Sequence, residues 1–135
     1  MRFIYILLLG IVALCARAES PPNTPDGLWE ALEHYDIHHK EIVYAQAILE
    51  TGHFKYVYKN NIFGLRGKRY YKYNSWSDCV KAYKEKIQSR YKQGEDYYKF
   101  LKRIHYATDP KYIRKLKKIV NGKNSRTRES GKGNK

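Results

Sequence analysis

Cysteine and long apolar runs are scarce in this sequence, and each absence excludes a class of protein. The chain has two cysteines and no Cys-x-x-Cys pair, and Cys15 lies in an N-terminal segment that we expect to be cleaved. Cys79 then stands alone, so a disulfide scaffold and a thiolate zinc site are excluded. After the apolar run at residues 3–14, no second run approaches the roughly 18 residues that a membrane span requires. The sequence therefore predicts no transmembrane segment, and its 135 residues suffice for one modest core.

The first 18 residues match the pattern of a secretory signal peptide. Arg2 provides a basic start, residues 3–14 are apolar, and Ala16-Arg17-Ala18 is a small-x-small cleavage site. Cleavage there predicts export to the periplasm or the extracellular space, and the loss of two arginines lowers the formal charge from +14 to +12. A lipoprotein anchored through Cys15 is the weaker alternative, because Leu14 is large where a lipidation site has a small residue.

Acidic residues are also scarce, with 13 Asp and Glu against 27 Lys and Arg. Residues 53–77 contain no acid at all, although they include six lysines and arginines and several tyrosines. A protein with this charge balance is attracted to anionic polymers and surfaces. A cationic nucleic-acid binder is one interpretation, but it rests on charge alone, and such binding would weaken steeply as salt rises.

Apolar periodicity predicts a mainly helical chain with five helices. We expect them to begin after Thr24, near His39, after Ser75, near Tyr97 and at Asp109, and to end near Tyr35, at Gly52, before Gly94, near Ile104 and at Asn121-Gly122. Residues 53–75 predict a small β-hairpin lobe, with strands near Ile62–Leu65 and Tyr70–Tyr73. The expected fold class is α+β, mainly helical, with one domain over residues 19–122 and a disordered basic tail over residues 123–135.

Glu50 is the side chain that best fits catalysis. It follows the apolar row of Val43 and Ala47 and lies in the last turn of its helix, just before Gly52. Apolar neighbours and the negative end of the helix dipole both disfavour a charged carboxylate there, which raises its pKa. A carboxyl that holds its proton near neutral pH can act as a general acid, whereas a solvent-facing glutamate at a helix end is the alternative interpretation.

Three segments in a fixed order extend the pattern around Glu50. Gln46-Ala47-Ile48-Leu49-Glu50-Thr51-Gly52 is followed by Asn60-Asn61-Ile62-Phe63-Gly64-Leu65 and later by Tyr106-Ala107-Thr108-Asp109-Pro110-Lys111-Tyr112. Together they resemble the glucosaminidase domain of glycoside hydrolase family 73, whose pattern is A-x-x-E-S/T-G, then N-x-F-G-[ILV], then Y-A-T-D-P-x-Y. The resemblance covers roughly residues 26–120.

The resemblance implies a lysozyme-like fold, in which a sugar-binding cleft lies between a helical body and a small β-hairpin lobe. It also implies a secreted endo-β-N-acetylglucosaminidase that cuts the β-1,4 bond after N-acetylglucosamine in peptidoglycan, without a cofactor. By the match, Glu50 takes the position of the general acid and Tyr106 that of a tyrosine near it. The expected partners are peptidoglycan glycan strands, with no obligatory nucleic acid, and the protein is expected to be a monomer.

The second carboxylate of an ordinary glycosidase is missing from the predicted lobe. Asp78 and Asp109 are both expected to cap helix starts. We therefore interpret Glu50 as the only essential acid, with the 2-acetamido group of the substrate as nucleophile and Tyr106 orienting that group or stabilising its charge. The alternatives are a muramidase or lytic transglycosylase, or a non-catalytic peptidoglycan-binding module of the same fold.

Substrate-binding residues are expected mainly in the basic, tyrosine-rich segment. Tyrosine rings suit sugar stacking because they have an apolar face and a polar edge, and Tyr70 and Tyr71 are predicted to bind substrate. Asn61 and Phe63 are also assigned to the binding site, where Asn61 can shape a turn under the cleft and Phe63 can belong to the core of the lobe. The histidines between residues 34 and 39 lack a carboxylate that would complete a ligand set, so no metal site is expected.

Overall fold

The computed structural model describes residues 19–130, with side chains through Lys123. The described chain contains five α-helices, with a 3-10 turn at Gln88–Arg90: α1 (Pro25–His34), α2 (Lys40–Thr51), α3 (Trp76–Lys86), α4 (Tyr97–Arg103) and α5 (Tyr112–Ser130). The predicted signal peptide at residues 1–18 and the last five residues of the predicted tail lie outside the described residues. None of the described helices is long and apolar enough to cross a membrane.

The caps predicted for α1, α2 and α3 are confirmed. Thr24 Oγ1 accepts a hydrogen bond of 3.0 Å from the third residue of α1, and Pro25 takes the first helical position, where its missing N–H costs nothing. Ser75 Oγ accepts a bond of 3.1 Å from the first turn of α3. Gly52 ends α2 with a φ of 57°, a left-handed conformation that glycine adopts readily.

The predicted extension of the third helix toward Gly94 is wrong, and a tertiary contact explains the earlier end. α3 stops at Lys86, and the chain turns so that Gln88 can bind the backbone of His38. The Gln88 side chain accepts from His38 N at 2.9 Å and donates to His38 O at 2.8 Å. Together these two bonds satisfy the polar groups of a buried side chain and of a distant backbone segment. They therefore stabilise the turn at this point in place of another turn of helix.

The predicted end of the last helix at Asn121-Gly122 is also wrong. A helical glycine costs only about 1 kcal/mol relative to alanine, which is a weak stop signal. Just beyond it, Lys123 Nζ lies 4.5 Å from the ring centroid of Trp29 and 4.1 Å from that of Tyr44. These cation–π contacts hold the turn against α1 and α2, and the helix continues to Ser130. Residues 123–130, which the sequence predicts to be disordered, are therefore part of α5.

The described helices share one apolar core. α1 packs against α2 and α3, and α2 packs against α5. The core draws on all five helices and on the segment between α2 and α3, and its most deeply buried members include Leu28, Leu32, Val43, Ala47, Ile62, Phe63, Val80, Tyr83, Phe100 and Leu116. Among the described residues, these core members all lie between positions 28 and 116.

The predicted β-hairpin lobe is wrong. The described residues contain no strand, and the region holds a single antiparallel bridge between Arg66 and Tyr70. We call residues 52–75 the basic loop. Within it, the Asn61 amide donates to Leu65 O at 2.7 Å and to Tyr71 O at 3.1 Å, and accepts from Leu65 N at 2.9 Å. The side chain thus occupies backbone groups that a strand ladder would use.

Candidate active site

A cleft of about 660 Å³ lies between the basic loop and the segment before α5. The end of α2 contributes Leu49 and Glu50. One wall is the basic loop with Phe63, Gly64, Leu65, Arg66 and Tyr70, and the other comprises Ile87, Arg90, Ile104–Asp109, Tyr112 and Lys115. The expected cleft is present, and an irregular loop forms the wall that was expected to be a β-hairpin.

Glu50 lies where the last turn of α2 meets the cleft. Its side chain is accessible from the cleft, and Tyr112, which lines the same cleft, is the hydrogen-bonding group that acts on its pKa. Desolvation by the surrounding protein raises the pKa of Glu50, and the Tyr112 hydrogen bond opposes that rise by stabilising the charged form. Desolvation is the larger effect, so Glu50 holds its proton to a higher pH than a solvated glutamate does.

Gly64 brings the backbone of the basic loop against the Glu50 carboxylate. Its φ is 63°, in the left-handed region that favours glycine. A Cβ placed on Gly64 would lie 3.1 Å from Glu50 Oε2, which is closer than ordinary van der Waals contact. Both the backbone conformation and the space beside the carboxylate therefore require glycine here.

Tyr106 connects the two walls of the cleft. Its hydroxyl donates to the Phe63 carbonyl at 2.8 Å, and its ring lies 5.7 Å from that of Tyr112 and 6.3 Å from that of Tyr83. Burial raises the pKa of Tyr106 far above its usual range, with smaller contributions from Tyr112 and Glu50. The hydroxyl therefore keeps its proton and continues to donate. Both residues predicted to be catalytic, Glu50 and Tyr106, line the same cleft.

Two side chains of the site, Gln46 and Tyr112, are not among the site residues predicted from the sequence. Helical periodicity places Tyr112 in a core stripe, yet its hydroxyl reaches Glu50. Gln46 is fully buried, and its Nε2 donates to Tyr112 OH at 3.2 Å. Two signals point to Gln46: it precedes Glu50 by four residues, on the same helix face, and a glutamine between Ala45 and Ala47 on a buried face needs polar partners.

Asp109 is a second carboxylate in the cleft, and its environment is the opposite of that of Glu50. Its Oδ2 pairs with Lys115 Nζ at 2.6 Å, and its Oδ1 accepts from Lys111 N at 2.8 Å. The hydrogen bond from Lys115, followed by that from Lys111, lowers the pKa of Asp109. Asp78 lies in the first turn of α3 and is not part of the cleft lining.

A family model described as Glucosaminidase, mannosyl-glycoprotein endo-beta-N-acetylglucosaminidase, matches residues 26–125. The chain belongs to the glucosaminidase family. The matched range includes every residue that lines the cleft, and it confirms the resemblance carried by the three motifs. No curated protein matches the chain.

In this glucosaminidase domain, the four residues predicted to bind substrate occupy different places. Tyr70 is 53% exposed and lines the cleft. Phe63 also reaches the cleft, but it is a core residue whose ring centroid lies 4.6 Å from that of Tyr83. Asn61 is buried under the basic loop, and Tyr71 is exposed outside the cleft lining. The structure therefore brings Phe63 and Tyr70 together with Glu50, and leaves Asn61 and Tyr71 apart from it.

Cationic side chains also face the cleft of the glucosaminidase domain. Arg66, Arg90 and Lys115 all line it. Lys115 is paired with Asp109, and the Arg66 guanidinium lies 5.0 Å from the ring centroid of Tyr70. These groups favour a substrate with anionic substituents. Within the part of the chain that the structure describes, no three His, Cys, Asp or Glu side chains are grouped so that they could hold a metal ion.

Proposed function

We propose that the protein is an exported peptidoglycan hydrolase, an endo-β-N-acetylglucosaminidase that cleaves the β-1,4 bond after N-acetylglucosamine with Glu50 as general acid. The observation that carries the proposal is the place of Glu50, a carboxyl of raised pKa in the cleft of a glucosaminidase-family domain. Export is inferred from the signal-peptide pattern of residues 1–18.

Proton transfer from Glu50 starts the reaction. A glycosidic oxygen leaves poorly until it is protonated, so the proton must arrive as the C1–O bond breaks. A general acid works best when its pKa lies near the working pH, and desolvation shifts the pKa of Glu50 in that direction. The hydrogen bond from Tyr112 then stabilises the carboxylate that remains after the transfer.

The nucleophile in this mechanism comes from the substrate. Asp109 is held by Lys115 and by a backbone N–H, which suits a structural carboxylate more than an attacking one. The oxygen of the 2-acetamido group attacks C1 as the glycosidic bond breaks, giving a cyclic oxazolinium. Water then attacks C1 and reopens the ring, and its proton returns to Glu50, so the acid is regenerated.

Tyr106 has a positioning role in this proposal. Its hydroxyl is committed to the Phe63 carbonyl, which precedes Gly64 in the chain. The hydrogen bond therefore holds the loop segment that lies against the Glu50 carboxylate. The Tyr106 ring remains part of the cleft wall, where an acetamido group could pack against it.

Charge supports peptidoglycan as the substrate. The formal charge is +14 for the whole chain and +12 after loss of residues 1–18, and the basic loop contributes lysines and arginines without one acid. Peptide stems of the bacterial wall carry free carboxylates, so a long-range field draws the protein to its polymer. Within the cleft, Arg66 and Arg90 present positive charge near the position expected for the glycan.

The decisive experiment digests purified peptidoglycan with the exported form, residues 19–135, and with its Glu50→Gln variant. Released fragments are reduced with borohydride, and the terminal sugar is identified by mass spectrometry. We expect reduced N-acetylglucosamine ends from the wild type, and a loss of about 10²–10⁴-fold in rate for Glu50→Gln, the usual contribution of a general acid. Asp109→Asn is the matched control, since it removes the other cleft carboxylate.

Each other result has a definite meaning. Reduced muramic ends or anhydro sugars would still show a glycan-cleaving enzyme, but one of the muramidase or lytic transglycosylase class. If a folded wild type releases no fragments from walls of several chemistries, the protein is a non-catalytic peptidoglycan-binding module. Near-total loss of turnover in a folded Asp109→Asn variant would contradict the single-acid mechanism.

A further inference from the structure

Behind Glu50, five buried polar side chains form a continuous line of hydrogen bonds. In order toward Glu50, they are Gln88, Tyr97, Tyr83, Gln46 and Tyr112, and we call them the tyrosine–glutamine chain. Their successive distances are 3.1 Å, 2.7 Å, 2.6 Å and 3.2 Å. Tyr83 and Gln46 are fully buried, and none of the five is more than 7% exposed. Four helices and the 3-10 turn each contribute one member.

The far end of the chain has a fixed orientation. Gln88 Oε1 accepts from His38 N, and Gln88 Nε2 donates to His38 O. A backbone N–H can only donate and a carbonyl can only accept, so this amide cannot be turned round without losing both bonds. The second hydrogen on Gln88 Nε2 points to Tyr97 OH. Tyr97 therefore accepts from Gln88, and its own single proton is available for Tyr83.

The remaining members donate their hydrogen bonds in the same direction. Tyr83 donates its only proton to Gln46 Oε1, so in its contact with Tyr97 it must be the acceptor. With Oε1 facing Tyr83, Gln46 presents Nε2 to Tyr112. Tyr112 accepts there, so its single proton is available on its cleft side, where Glu50 lines the same cleft and interacts with it. Every donor in the chain therefore points toward Glu50.

We propose that the tyrosine–glutamine chain is a positioning device that commits the single hydroxyl proton of Tyr112 to the Glu50 carboxylate. The link to catalysis rests on the proposed function of Glu50, whereas the direction of the chain does not. If Tyr83 loses its hydroxyl, the Gln46 amide is free to turn and to offer Oε1 to Tyr112. Tyr112 then divides its proton between two acceptors, and Glu50 loses part of the bond that stabilises its charged form.

Other charged groups face Glu50 across the cleft, and they stay in place when the chain is altered. They are Arg66 on the basic loop, Arg90 at the end of the 3-10 turn, His105 and Asp109 on the segment before α5, and Lys115 on α5. None of them belongs to the chain. They therefore provide the same electrostatic background in the wild type and in every variant compared below.

The test is a carbon-13 NMR titration of the Glu50 carboxyl in the free protein, with Glu50→Gln identifying the resonance. We expect Tyr83→Phe to raise the pKa of Glu50 by at least about 0.5 unit, because a donor to the charged form is weakened. Tyr97→Phe should raise it less, since Tyr83 still donates to Gln46. Tyr98→Phe is the matched control: Tyr98 is next to Tyr97 on α4 but outside the chain, and we expect no change.

A second measurement on the wild type removes any dependence on how the variants fold. The buried hydroxyl proton of Tyr112 should shift downfield as Glu50 ionises, with the same midpoint as the Glu50 carboxyl. An unchanged Glu50 pKa in folded Tyr83→Phe, or a Tyr112 hydroxyl proton that does not follow Glu50, would overturn the proposal.

Enzyme kinetics separate this inference from the proposed function. If both hold, the alkaline limb of the pH profile of kcat/KM moves up in Tyr83→Phe by the same amount as the NMR midpoint. If the NMR midpoint moves and the kinetic limb does not, the proposal for the tyrosine–glutamine chain is supported and Glu50 is not the general acid.

Discussion

Tyrosine has opposite uses in the two regions that border the cleft. In the helical body, Tyr83 and Tyr97 are buried, with their hydroxyls bonded to each other and to glutamines. In the basic loop, Tyr56 is 79% exposed, Tyr58 63% and Tyr70 53%. There the neighbours are cations: Lys59 Nζ lies 4.8 Å from the ring centroid of Tyr58, and Arg66 takes the same position over Tyr70.

The difference shows how one residue type can do two tasks in a small protein. A buried tyrosine contributes apolar area and also a hydroxyl whose single proton has a defined direction. An exposed tyrosine keeps its ring face free for a sugar, at little cost to the fold. In our proposal, the body therefore acts on the state of Glu50, and the basic loop provides the surface on which a glycan can lie.

The largest test of this comparison removes one tyrosine from each region. Tyr83→Ala should lower the free energy of unfolding by about 3–5 kcal/mol, because a buried ring is lost and two hydrogen-bond partners are stranded. Tyr70→Ala should change it by less than about 0.5 kcal/mol, as exposed substitutions usually do. Urea unfolding measures both, and KM for Tyr70→Ala should rise about five- to tenfold through lost stacking and lost contact with Arg66.

Tyr56→Ala is the control for the loop variant, because Tyr56 is exposed but does not line the cleft. Equal losses of stability in Tyr83→Ala and Tyr70→Ala would remove the distinction between the two regions.

A smaller effect on stability is expected for a substitution at Gly64, where the basic loop contacts the Glu50 carboxylate. Gly64→Ala should cost about 1–2 kcal/mol of stability from its left-handed backbone. In addition, the new Cβ would press on Glu50 Oε2, so kcat should fall more than KM rises. Gly94→Ala is a close control, since Gly94 has a φ of 81° and open space around it. It should lose similar stability and keep full activity, and a similar loss of kcat in both variants would contradict a specific role for Gly64.

Local signals were sufficient to predict much of the body from sequence. Thr24, Ser75 and Gly52 are caps whose side chain or φ acts on residues nearby in the chain, so their meaning can be inferred from the sequence itself. The position of Glu50 at a helix end follows from the same kind of signal. The presence of Glu50 and Tyr106 in one cleft came from the order of three motifs, and no local rule would predict it.

The errors occur where distant residues meet. The strands expected at residues 62–65 and 70–73 have the composition of strands, but the Asn61 amide binds the backbone of both segments. Lys59 and Asn60, just before the first of these segments, also have positive φ values, so the chain turns there. Likewise, α3 ends shortly before Gln88, whose side chain binds the backbone N–H and C=O of His38, fifty residues away. The tyrosine–glutamine chain depends on that contact.

The smallest effect concerns the acid itself, where the two regions meet. The pKa of Glu50 is raised in the folded protein, so this group favours folding below its unfolded pKa and loses that contribution as pH rises through its folded pKa. At neutral pH the wild type therefore carries a cost that Glu50→Gln avoids. We expect the variant to melt a few degrees above the wild type at pH 7 and level with it at pH 3.5. Glu85→Gln, on the exposed face of α3, should show no such pH-dependent gain. A higher melting temperature for Glu50→Gln at both pH values would mean that packing around residue 50, and not the ionisation of Glu50, causes the loss of stability in the wild type.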